Sequence, residues 1–270
     1  TDHPSPDDEW YQRIAAAEKE LDWDQSICLQ REYCAWKISN DSLGVRWKRL
    51  TSLSRLLWMC GRRAEAVKVA EEAVLCGKAS GLSVAPLMTT PLAARYTAAL
   101  GQLEAAERMV EDALAGVTPE ESPGTGVNNR LTLSLRLCRV RLALQRGDLP
   151  LVQDQLDSIW PEIEPYGDSS MMAGMRAALA EHADLSAHLH LARGESTAAI
   201  EALEKAIHHR QSILEMPQIS EHHFVYYTLA GTMLRLAEVM APSQPEAAAE
   251  VKSQANELFL ALRVPPSLPD

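Results

Sequence analysis

The sequence predicts an all-α protein: a right-handed superhelix of about six antiparallel helix pairs, stacked as a solenoid around a continuous core. Three observations carry this. Leu50, Leu53 and Leu57 mark one apolar helical face and Ala66, Ala70, Ala73 and Val74 another, with Gly61 breaking the run between them. A glycine followed five residues later by alanine, and seven after that by alanine, recurs as Gly61, Ala66, Ala73, then Gly101, Ala106, Ala113, then Gly194, Ala199, Ala206. Aromatic residues make up only 5% of a chain that is 46% hydrophobic, so alanine and leucine carry the packing, which favours helices.

Residues 1–6 read as a polar, proline-containing tail, and 7–262 as one helical-repeat domain. Asp7 or Asp8 caps the first helix, and the first pair, near 7–40, turns at Asp22 to Asp24 without the glycine signature, as an end repeat would. The second pair, 47–80, turns at Gly61. Small alanines on its second helix let the first approach closely, while Leu57 and Trp58 supply bulk. A loop with Gly81 and Pro86 leads to the third pair, 87–118, turning at Gly101. Residues 119–129, PEESPGTGVNN, read as a flexible connector whose GTG lacks the length and lysine of a phosphate-cradling loop. The fourth pair, 130–165, turns at Gly147 with Val152 and Ile159 in place of the alanines, and Pro150 fits the first turn of a helix. The fifth, 176–213, turns at Gly194. The sixth, 222–262, is joined by APSQP and followed by a tail, 263–270.

The glycine and alanine spacing resembles the tetratricopeptide repeat, with Gly61, Ala66 and Ala73 on its signature positions. Within it, RLTSLSRLLWMCGRRAEAVKVAEEAV is similar to the helical-repeat region of the large ATP-dependent LuxR-like bacterial transcription activators, a likeness extending from Arg46 to Leu114. That resemblance implies a sensor or interaction segment in a regulatory or assembly role. The sequence has neither a GxxxxGK loop nor a recognisable helix-turn-helix.

A formal net charge of −11 disfavours direct nucleic-acid binding, which needs a basic surface. No uninterrupted apolar stretch has the length to span a bilayer, so no membrane partner is expected. Cys28, Cys34, Cys60, Cys76 and Cys138 form no close CxxC pair and read as reduced, mostly buried thiols, which points to the cytoplasm.

In a repeat superhelix the first helix of each pair lines the concave face, and residues of equal phase stack into a column. Six positions before the turn glycines stand Arg55, Arg95, Arg141 and His188. None of the three arginines has an acid one helical turn away, whereas His188 has Asp184. An internal polar ladder and an exposed binding strip both fit this column. As a strip it would include Lys48 and the rim of Trp58 and would grip a protein or peptide segment of acidic character.

Catalytic residues have no motif to stand on, and no cofactor is implied. His182, His208, His209, His222 and His223 are candidates for a shared rim that would suit zinc or iron, with Glu181 and Glu221 nearby, but no HExxH or paired ExxH occurs. Met171, Met172 and Met175 read as core filling ahead of a contact patch. The expectation is therefore a non-catalytic peptide-binding repeat module. The alternative is a small-molecule- or metal-binding enzyme, or an accessory to one, with its site in the cavity or at the late histidines.

Overall fold

The computed structural model describes residues 6–39, 43–117, 127–166, 173–216 and 222–267, and all its regular structure there is helical. Twelve α-helices follow one another: α1 (Pro6–Lys19), α2 (Trp23–Ser39), α3 (Leu43–Met59), α4 (Arg63–Ala79), α5 (Val84–Ala99), α6 (Leu103–Ala115), α7 (Val127–Arg146), α8 (Leu149–Ile163), α9 (Ala173–Ala192), α10 (Ser196–Leu214), α11 (His222–Met240) and α12 (Pro245–Ala261). Most of the expected connector, Met171 and Met172, Glu221 and the chain ends lie outside the described residues, while Met175 is a buried core residue.

Five of the turns between helices are built alike. Gly101 has φ of +83°, its N–H donates to the Ala98 carbonyl, and the Gln102 N–H reaches back to Thr97 O at 3.2 Å. This left-handed residue followed by a five-residue back-bond closes a helix end and aims the chain into the next helix. Gly61, Gly147 and Gly194 repeat it. Where the first pair lacks a glycine, Leu21 takes the same conformation (φ 55°), and Asp22 N–H donates to Ala17 O. The geometry is thus kept where its sequence mark is missing.

Alanines five residues past those glycines, Ala66, Ala106 and Ala199, are completely buried, and Val152 fills the same place in the fourth pair. Helices start earlier than the apolar pattern implies. Pro86 sits in the first turn of α5, where a helix needs no N–H from it, so the loop expected there is already helical.

The first and last elements meet. Trp23, Leu53, Leu57, Tyr227, Phe259, Leu262 and Val264 share one core cluster, joining α2 and α3 to α11, α12 and the segment after it. Trp23 Nε1 donates to the Leu262 carbonyl at 2.7 Å, and Arg263 to Glu20 O at 3.2 Å. Sequence separation of more than two hundred residues hides this contact from any local pattern.

Candidate functional site

The basic column converges, and it does so largely inside the protein. Arg95 on α5 and Arg141 on α7 both reach Glu181 on α9, at 3.6 and 3.4 Å, and only 7% of the Arg141 side chain is exposed. One turn along α9, Asp184 pairs with Arg210 of α10 and accepts from Thr232 of α11 at 3.5 Å. Burial makes such pairs costly to break, because either partner left alone is an uncompensated charge in low dielectric.

His188 completes this interior. Its Nε2 accepts from Arg235 of α11, so its Nδ1 carries the proton and donates to the Asp184 carbonyl at 2.8 Å. Burial, then Arg235 and Arg141, lower its pKa to about 4, and the ring is neutral at pH 7. Intrahelical spacing offered no acid to the arginines. For Arg95 and Arg141 the partner comes from another helix, which one-dimensional reasoning does not register.

Trp58 is not a rim anchor. It is buried, stacked on Tyr96 with ring centroids 3.9 Å apart, and covered by the Arg63 guanidinium at 3.8 Å. The other two predicted residues lie elsewhere. Lys48 and Arg55, both on α3, line a cavity of about 480 Å³.

That cavity is lined by residues of α1, α2, α5 and α11, with α3, which contributes more of the lining than any other helix, as its floor. Its charged lining is Lys48, Arg49, Arg55 and Glu18, and His223 contributes an imidazole whose pKa is lowered by burial. Tyr11, Trp23, Trp47 and Phe224 supply rings. Cations rest on rings here: Arg49 over Tyr11 at 3.9 Å, Lys48 over Trp47 at 5.4 Å, Arg55 over Phe224 at 5.3 Å. Among the described residues neither Lys48 nor Arg49 makes an ion pair. Glu18 is engaged locally, accepting from Ser26 at 3.3 Å and Gln30 at 3.1 Å. Two deeply buried lining residues carry unmet polar atoms, Gln30 Oε1 and Trp47 Nε1, with 1% and 2% of those residues exposed.

The late histidines are divided. His182 is buried, bonded through Nε2 to Leu156 O at 3.2 Å and packed on Trp160. His208 and His209 line a second cleft with Trp160, whereas His223 packs on Trp23 at the first cavity. Among the described residues no three histidine, cysteine, aspartate or glutamate side chains are grouped to hold a metal. All five cysteines are free thiols, and burial pushes Cys34 and Cys138 up to about 12. No helix among the described residues is long and apolar enough to cross a membrane.

Neither a family model nor a curated protein matches the chain. Solved structures do. The chain resembles the crystal structure of BtubC (BKLC) from P. vanneervenii. The match has a TM-score of 0.51 and covers 97% of this chain and 95% of that one. At 16% identity the likeness concerns the fold.

Arg49, Trp47, Gln30 and Phe224 were not singled out from the sequence. Arg49 breaks the register of the column, and the others look like ordinary apolar or polar helix residues. The available signal was the run WKR at 47–49, an aromatic followed by two cations.

Proposed function

We propose that this chain is a non-catalytic recognition module that binds an acidic protein or peptide segment in the cavity floored by α3, in a regulatory or assembly role. The supporting observation is the lining itself: Lys48, Arg49 and Arg55 face a space where, among the described residues, Glu18 is the one carboxylate beside four aromatic rings. Lys48 and Arg49, which make no ion pair among the described residues, attract anions, and the surrounding low-dielectric walls strengthen that attraction. The preformed cavity lowers the ordering cost of binding.

This relocates the gripping cations. Lys48 and Arg55 keep that role and Arg49 joins them, while Arg95, Arg141 and His188 hold the helices together. Reversing charge at Arg95 and Arg141 would set carboxylates against Glu181 and unfold the chain, so it does not test binding.

The Gly–Ala–Ala spacing and the repeated left-handed turns support a tetratricopeptide-like right-handed superhelix. The likeness of Arg46 to Leu114 to LuxR-like activators supports a bacterial, cytoplasmic setting. A second reading, a small anionic molecule bound by an enzyme or accessory protein, draws on the cavity volume, which falls within the range for such ligands.

Calorimetric titration with an aspartate- and glutamate-rich peptide, its lysine-substituted counterpart and citrate separates the readings. Heat with the acidic peptide alone supports the proposal. Heat with citrate and none with either peptide rejects it.

A further inference from the structure

The chain continues past the end of α12. Arg263 takes φ of +54°, and the Val264 N–H reaches back to Phe259 O at 3.1 Å, the geometry that elsewhere in this protein turns one helix into the next. No further helix follows among the described residues. Instead residues 264–267, which include two prolines, run on without regular structure.

The tertiary contacts of this segment reach far back in the chain. Arg263 Nη1 donates to Glu20 O, in the turn between α1 and α2. Val264 is buried in the core cluster that holds Trp23 and Leu57, and Pro265 Cγ stands 3.6 Å from where a Cβ on Gly61 would lie. The Ser267 and Tyr227 hydroxyls are hydrogen-bonded to each other.

Trp23 is the residue the segment holds. Its Nε1 donates to the Leu262 carbonyl at the root of the segment, and its ring packs edge-on against His223 of α11 with centroids 5.1 Å apart. Trp23 also borders two spaces. One is the cavity floored by α3, and the other is an outer cleft of about 520 Å³ lined by Leu21, Cys60, Arg62, Arg263 and Pro265 among others. Among the described residues, Trp23 alone is common to both linings.

A buried indole N–H needs an acceptor. Shifting the segment withdraws that acceptor, and shifting the indole strips the Leu262 carbonyl of that donor. Each therefore stabilises the other in place, and such coupling is reciprocal.

We infer that residues 262–267 form a strap. Seated, it fixes Trp23 as the partition between the cavity and the outer cleft; lifted, it frees the indole and joins the two spaces. The strap works in this way whatever the cavity binds.

The test reads the strap and the ring separately on the full chain. Trypsin cuts after Arg263 only when the strap lifts, because the Arg263 side chain is bonded to Glu20 O and Val264 is buried, and intact mass reports the loss of residues 264–270. Trp23→Phe keeps a ring and removes the N–H. It should speed this cut about tenfold and leave the cut after Arg146, at the end of α7, unchanged. In the other direction, Val264→Asp in protein carrying 5-fluorotryptophan should move the fluorine resonance of Trp23 and leave that of Trp160 in place, each resonance being identified by its loss in the Trp→Phe variant. Should Val264→Asp fail to melt cooperatively, Ser267→Ala replaces it, lifting the strap by removing its bond to Tyr227. An unchanged rate at Arg263 in Trp23→Phe overturns the inference, as does a Trp23 resonance that stays in place when faster cutting at Arg263 shows the strap to be lifted. Equal acceleration at Arg263 and Arg146 overturns it as well, since the indole bond would then serve general stability alone.

Discussion

The protein holds two sets of basic residues in contrasting surroundings. Around α9, Arg95, Arg141 and Arg210 are drawn onto Glu181 and Asp184, and Asp184 has a side chain only 4% exposed. On the floor of the cavity, Lys48 and Arg49 rest on aromatic rings and make no ion pair among the described residues. The same residue types therefore serve different ends. A guanidinium whose field ends on a buried carboxylate fixes one helix to another. A cation whose field opens into a cavity can bind something that arrives.

The sharpest way to break this contrast is to remove an interior acid. Asp184→Ala strands Arg210 and should cost about 3 to 5 kcal/mol in urea unfolding. A loss near zero would mean that the interior pairs do no structural work. Acid should act on the same region. His188 titrates near 6.5 when unfolded and at about 4 when folded, so its contribution is present above pH 6.5 and fades as pH falls toward 4. The loss should approach about 3 kcal/mol, and His188→Gln should flatten that part of the pH–stability curve. His182 and His223, also lowered by burial, push in the same direction.

Smaller effects sharpen the comparison. Gly101 has open space around an added Cβ, so Gly101→Ala isolates the cost of its left-handed backbone, about 1 to 2 kcal/mol by thermal denaturation. Lys48→Glu should change stability by less than about 0.5 kcal/mol, the response of a side chain outside any interior network. A large fall would place Lys48 with the interior group.

Much of the fold was legible because its signals are local. Gly61, Gly101, Gly147 and Gly194 mark turns that demand positive φ, and the buried alanines follow at fixed spacing. Leu21 was illegible because it adopts the same geometry without the residue type that favours it. Pro86 was misleading, since a proline in the first turn looks like a break. The equal phase of Arg55, Arg95, Arg141 and His188 was visible, yet its meaning depended on Glu181, which α9 brings across from forty residues beyond Arg141. The cavity was hidden for the same reason: its walls come from α1, α2, α3, α5 and α11, joined by the return of the last helices onto the first.

A charge exchange on the floor of the cavity separates binding there from binding elsewhere. The chain carrying Lys48→Glu and Arg49→Glu, and the unaltered chain, would each be titrated with a glutamate-bearing peptide and with its lysine-bearing twin. The expected result is a reversed preference, glutamate for the unaltered chain and lysine for the exchanged one, with a cooperative melting curve confirming that both chains fold. If both chains keep the glutamate preference, binding occurs elsewhere and the role given to the floor of α3 is wrong.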